Sequence, residues 1–293
     1  MAAGSSLEST TLVILSDEDV VARALGARWG SLPATGMTVD GAELRRLDER
    51  LLTLRRPGRH IFDERLDELL PPPLRALRPT LLFPSIHRSE SGQRCFTVHP
   101  LGNPGPHAQL GGQPRTLVPT NPRAMAGLLR ELGEAAQTLG LRATYEATHH
   151  GPELELPALF AEVAVPEGSV PTDAEIAVID RSIRAFRPDP RDRVALAVGG
   201  GHYAPRFGDL TRARQWAFGH IISRHALADL DPATARAGLE GTPGAEGILY
   251  ARAQDRGQPA FDGLGPELRE TDAPRRTRRD GSPTSTSLPT SGT

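Results

Sequence analysis

Lysine is missing from this chain: all 34 basic residues among its 293 are arginine. With 36 carboxylates the formal net charge is −2, so the global positive excess of a protein held on a polyanion by bulk electrostatics is absent. Genome composition is the first explanation for the arginine bias. A local arginine patch suited to phosphate is still compatible with it. Cysteine is nearly absent too. Cys95 stands alone, which excludes an internal disulfide and a thiolate metal cluster. No apolar run approaches the roughly 20 residues that span a bilayer, so no membrane partner is expected. Met1-Ala-Ala-Gly-Ser-Ser6 lacks the basic segment and apolar core of a secretory signal, and a cytoplasmic location follows as the expectation. Walker A, G-x-G-x-x-G, G-x-S-x-G and H-E-x-x-H patterns are all missing, and no internal repeat is present.

What is there alternates between strand and helix. Largely apolar runs at 11–16, 80–83 and 194–198 read as buried strands, and 159–165 as a strand with Glu162 inside it. Asp17 and Asp19 precede a helical pattern from Val20 to Trp29, and Asn121-Pro122 opens a helix with one apolar face that stops at Gly140. Thr172-x-x-Glu175 is a capping box, and Asp231-Pro232 starts a helix through Leu239. Leucines spaced helically over 43–54 predict a helix, 60–62 a short strand, 84–92 a polar loop and 211–218 a helix, with Pro205 ending regular structure before it. The pattern predicts an α/β fold with a mostly parallel sheet flanked by helices. The expected organisation is a disordered N-terminus at 1–9, one domain over 10–269, and a disordered Arg/Ser/Thr/Pro-rich tail at 270–293.

The chain centres on Val194-Ala-Leu-Ala-Val-Gly-Gly-Gly-His-Tyr-Ala-Pro-Arg206, an apolar strand broken by three glycines and followed by His202 and Tyr203. Open α/β sheets place their chemistry just beyond strand ends. Glu146-Ala-Thr-His-His-Gly-Pro152 repeats the design. Five of the nine histidines (His87, His99, His149, His150 and His202) fall at such ends or in adjoining turns. Neutral imidazole is the commonest metal ligand, and zinc accepts a carboxylate beside it; Glu146 and Glu162 are the nearest carboxylates. In a regular strand His149 and His150 would point to opposite faces, so one is expected to bind a metal and the other to orient or to move a proton. The Gly199-Gly-Gly201 turn could instead cradle a phosphate with its backbone N–H groups, a weak signal on its own.

Five ordered motifs then carry a family resemblance: Ser85-Ile-His-Arg-Ser-Glu-Ser-Gly92, Thr97-Val-His-Pro-Leu-Gly-Asn103, Thr148-His-His-Gly-Pro152, Gly199-Gly-Gly-His-Tyr-Ala-Pro-Arg206 and Phe218-Gly-His-Ile-Ile222. Together they resemble the archaeal and plant type of D-aminoacyl-tRNA deacylase over roughly 10–265. The resemblance implies a zinc-dependent cytoplasmic hydrolase with a core of the phosphorylase/peptidyl-tRNA-hydrolase kind. Its substrate would be D-aminoacyl-tRNA, and a monomer is the expected state. The family's histidine motifs carry over to His87, His99, His149, His150 and His202, with Glu162 in its Phe-x-Glu position; from these we expect His202, His150 and Glu162 as catalytic residues and His99, His149 and His202 as Zn2+ ligands. His87, Arg88, Gly199, Gly200, Gly201, Tyr203 and Arg206 would bind substrate. Two departures stand out: Val163-Ala-Val-Pro-Glu167 follows Glu162 where the family has Gly-Ser, and Arg224 stands where it has lysine. The alternatives are another metal-dependent hydrolase of the same fold, such as a peptidyl-tRNA hydrolase or metallopeptidase, and a non-catalytic RNA- or nucleotide-binding module.

Overall fold

A computed structural model describes residues 10–89 and 92–269. The expected disordered ends, 1–9 and 270–293, lie outside the described residues. The elements in order are β1 (Thr11–Ser16), α1 (Val20–Trp29), β2 (Ala34–Val39), β3 (Ala42–Arg46), β4 (Leu51–Arg56), α2 (Pro72–Ala76), β5 (Thr80–Ser89), β6 (Cys95–His99), β7 (Gly102–Asn103) and β8 (Thr116–Leu117). Then come α3 (Pro122–Ala136), β9 (Arg142–Tyr145), β10 (Ala158–Pro166), α4 (Asp173–Ala185), β11 (Val194–Val198), α5 (Pro205–Arg212), β12 (Ala217–Ile222), α6 (Pro232–Glu240), β13 (Ala245–Tyr250) and β14 (Glu267–Leu268).

The fold is α/β. One sheet has the order β2-β3-β4-β1-β5-β10-β6-β9, with parallel pairing at its centre and β6 antiparallel to β10. A second sheet, β12-β11-β13-β14, is parallel throughout. Among the described residues no helix is long and apolar enough to cross a membrane.

The helix starts follow their capping chemistry. Asp19 accepts from the Val21 and Ala22 amides, Asn121 from Ala124, and Asp231 from Thr234. Thr172 and Glu175 form the full capping box.

Four local expectations are corrected. Residues 43–54 form the strands β3 and β4, because Asp48 Oδ1 accepts from the Arg50 and Leu51 amides and turns the chain back. Leu51, Leu52 and Leu54 are then buried beside β1. His60–Phe62 is a 3-10 turn rather than a strand. The polar stretch after Phe83 continues β5 to Ser89. Pro205 does not end regular structure but begins α5, since proline at the first helical position loses no hydrogen bond, and 217–222 is the strand β12.

Candidate metal centre

Strand register builds half of the site. Glu162 stands between Ser85 of β5 and Thr97 of β6, Phe160 opposite His99, and Ala164 opposite His87. Alternate strand residues share a face, so His87, Glu162 and His99 emerge on one face. Phe96, Val98, Ala161 and Val163 emerge on the other, where they join the core with Met125, Leu128 and Ile179 of the covering helices.

The other half follows β9. Between the sheets, Ala147 N donates to the His202 carbonyl at 2.8 Å, Thr148 N to the Ile221 carbonyl at 2.8 Å, and Gly102 N to the His150 carbonyl at 2.7 Å. The segment 146–150 is thus tied on both sides, and it brings Glu146, His149 and His150 to the face already bearing Glu162. His150 has φ of 46°, the left-handed region that non-glycine residues seldom enter. That twist breaks the strand alternation, so the His149 and His150 rings meet with centroids 4.4 Å apart.

The converging atoms are spaced as if about common points. Glu146 Oε2 lies 3.2 Å from His202 Nε2, 3.5 Å from His149 Nε2 and 3.7 Å from His87 Nδ1. Glu162 Oε2 lies 3.5 Å from both His99 Nε2 and His87 Nδ1. Both Glu146 oxygens, Glu162 Oε2 and His99 Nε2 are buried with no hydrogen-bond partner. A buried carboxylate without compensation costs several kcal/mol. Donors about 2.1 Å from a tetrahedral ion stand about 3.4 Å from each other, close to the spacing seen here. The residues therefore fit a metal ion. Three overlapping groups have donor atoms within 4.8 Å of one another: His87, Glu146, His149 and His202; His99, His149 and His150; and His99, Glu146 and Glu162.

The imidazoles are oriented for this. His149 Nδ1 lies 2.8 Å from the Ala147 carbonyl, His150 Nδ1 2.7 Å from Gly151 and His99 Nδ1 3.2 Å from Pro100. A carbonyl only accepts, so each Nδ1–H donates and each Nε2 lone pair is left for the centre. Burial, then the neighbouring histidines, hold His149 well below the usual imidazole value, and burial lowers His150 to about 4. Burial also disfavours charge on His99 and Glu162. Their mutual attraction outweighs it, raising His99, and together with His87 it holds Glu162 well below the carboxylate range.

The centre forms the floor of a cleft of about 760 Å³ whose walls include Ser16, Glu18, Asp19, Arg59, His60 and Leu110. None of these is expected as a site residue from the sequence, whereas Glu146, one residue beyond the end of β9, is named there with Glu162 as a nearby carboxylate. Asp19 does more than cap α1: its Oδ2 accepts from Ser85 Oγ at 2.8 Å and Ile86 N at 3.0 Å. His60 Nε2 accepts from Ser16 N at 2.9 Å. Behind the centre, fully buried His220 lies 3.1 Å from Thr148 Oγ1, which also accepts from Ile221 N.

His87, Arg88, His149, His150, Glu162, His202 and Tyr203 all line the cleft. His99 lies beneath it. It shares a group with His149 but not with His202, whereas His87, expected to bind substrate, joins His202. Burial raises the Tyr203 phenol to about 12, and its hydroxyl donates to Ser89. Gly199, Gly200, Gly201 and Arg206 are not among the lining residues. The Gly199 amide donates to the Ile222 carbonyl. With φ of 100°, its missing side chain makes room for Asp255, whose Oδ2 would lie 2.3 Å from a Cβ.

A family model described as D-aminoacyl-tRNA deacylase matches residues 78–258. The chain belongs to the D-aminoacyl-tRNA deacylase family. Over 192 residues it is 37% identical to the D-aminoacyl-tRNA deacylase of Thermoplasma volcanium, covering 63% of this chain and 74% of that protein. It is likewise 37% identical over 178 residues to that of Thermoplasma acidophilum, covering 60% and 69%. A crystal structure titled as a conserved protein of unknown function superposes with a TM-score of 0.74 at 26% identity, covering 90% of this chain and 96% of the other. The segment matched to the deacylase family contains the whole His/Glu centre, whereas Ser16, Asp19, Arg59 and His60 of the cleft wall precede it.

Proposed function

We propose that this protein hydrolyses the ester joining a D-amino acid to the 3′ end of tRNA, releasing the free D-amino acid and tRNA, and that it works in the cytoplasm as a chiral proofreader with zinc in the His/Glu centre. Family membership supports the reaction class. The observation that carries the mechanism is the buried Glu146 carboxylate and Glu162 Oε2, which lack hydrogen-bond partners and face histidine nitrogens on the cleft floor.

A nitrogen-rich donor set with one carboxylate suits zinc, and catalytic sites use three protein ligands and keep one position open. His87, Glu146 and His149 would hold the ion. Bound there, zinc supplies Lewis-acid chemistry that makes water nucleophilic near neutral pH and polarises the ester carbonyl. This departs from the sequence expectation by releasing His202 from ligation, because its side chain is 45% exposed and reaches the open cleft.

Glu162, kept ionised by His99 and His87, takes the proton of the attacking water. His202 delivers a proton to the departing ribose oxygen. Neutral His150 packs against both His99 and His149 and holds their rings in place. Arg88, exposed at the mouth, is positioned for tRNA phosphate. The L-ester would be excluded sterically. The test is chelation: D-Tyr-tRNA hydrolysis should stop when metal is stripped and return with stoichiometric zinc. Full activity in metal-free protein would overturn the metal assignment.

A further inference from the structure

The chain has eight phenylalanines. Seven are 5% exposed or less, while Phe62 is 51% exposed. The Arg59 guanidinium lies 5.5 Å from its ring centroid and covers one side. The position is not arbitrary. Arg59, His60 and Ile61, the residues leading to Phe62, line the active cleft. His60 packs on Phe160 at 6.0 Å, and Phe160 stacks on His99 of the centre at 5.0 Å. The Phe62 turn therefore begins one ring away from the candidate metal centre.

Leu110, which lines the same cleft, is also 51% exposed. The loop that carries it is clamped to the same turn. Gly112 N donates to Glu64 at 2.6 Å, and Gly111 sits so close to the Ile61 carbonyl that a Cβ would lie 1.6 Å from it. An exposed ring flanked by a guanidinium, at the rim of a cleft, is the arrangement that stacks unpaired nucleobases. An ester on a 3′-terminal ribose carries its base on the same sugar, so a base must lie within one ribose of the reacting carbonyl.

We propose that Phe62, with Arg59, is the stacking platform for the 3′-terminal nucleobase of the tRNA, and that Leu110, on the loop clamped to that turn, extends its apolar edge. The platform rests on the deacylase reading for its ligand. It lies outside the segment matched to the family, 78–258.

The test is steady-state hydrolysis of D-Tyr-tRNA together with titration of adenosine 5′-monophosphate by calorimetry. Phe62→Ala should raise KM about tenfold, the loss of one base–aromatic stack, with kcat within about twofold, and should weaken nucleotide binding by a similar factor. Phe62→Trp should restore both. Because the ring is exposed, Tm should be unchanged. Leu69→Ala, which removes another exposed apolar side chain (49% exposed) outside the cleft, should leave both readouts at wild-type values. Wild-type KM and nucleotide affinity in Phe62→Ala would overturn the platform and leave the deacylase reading standing. If the wild type hydrolysed neither the D- nor the L-ester, the deacylase reading would fail. The platform would then be judged on nucleotide binding alone, and an equal dissociation constant for wild type and Phe62→Ala would overturn it.

Discussion

Zinc should stabilise the folded protein, and Glu146 should be the residue through which it does so. Glu146 is fully buried with both oxygens unpartnered, and three histidine nitrogens lie 3.2–3.7 Å from Oε2. An ion that binds only the native state adds about 2.7 kcal/mol at 100 times its dissociation constant and about 4.1 kcal/mol at 1,000 times. At roughly 2–4 °C per kcal/mol for a domain of this size, Tm should rise by about 5–15 °C. Glu146→Gln keeps the shape and removes the charge, so its zinc-induced shift should fall below about 2 °C. Without metal the variant should melt no lower than metal-free wild type, because removing a buried, uncompensated carboxylate is neutral or stabilising. Differential scanning fluorimetry with and without zinc, after chelation, measures both. A wild-type Tm indifferent to zinc, or a metal-free Glu146→Gln that melts several degrees below metal-free wild type, would refute the reasoning.

Other outcomes follow from single residues. His202→Ala should lower kcat by at least about 100-fold, the scale of one general acid, while Tm and bound zinc stay at wild-type levels; loss of zinc from the purified variant would make His202 a ligand instead. Burial lowers His220 to about 3 against about 6.5 in the unfolded chain. The unfolded state therefore binds the extra proton between those values, and stability present above pH 6.5 is lost as pH falls toward 3. His220→Gln should flatten the stability-against-pH slope between pH 6 and 4 by up to about 1.4 kcal/mol per unit, read by urea denaturation. Thr172→Ala, at a residue that lines no part of the cleft, removes the capping box of α4. It should cost about 1 kcal/mol with kcat unchanged.

The strand ends were legible because glycine and proline punctuate them. His149, His150 and His202 stand beside Gly151-Pro152 or Gly201, and these positions do converge. Their grouping was not legible, because it depends on register: only the pairing of Phe160 with His99 and of Ala164 with His87 shows which side chains share a face. Pro84 hid the continuation of β5, since proline normally argues against a central strand. It is tolerated because β1 pairs with β5 only as far as Leu82. Ile86 N, two residues on and facing the same way, finds Asp19 rather than a strand. Residues 43–54 misled because Leu44, Leu47, Leu51 and Leu54 recur at helical spacing, whereas Asp48 makes the turn that decides the local structure. Phe62 carries no periodic signal, and its exposure emerges only from the fold.

The central claim is stereochemical hydrolysis at the His/Glu centre, and one comparison tests it most directly: initial rates of amino-acid release from D-Tyr-tRNA and L-Tyr-tRNA by the zinc-loaded protein. The account predicts rapid release from the D-ester and none above the spontaneous rate from the L-ester. Equal rates on the two, or no turnover of the D-ester, would contradict it.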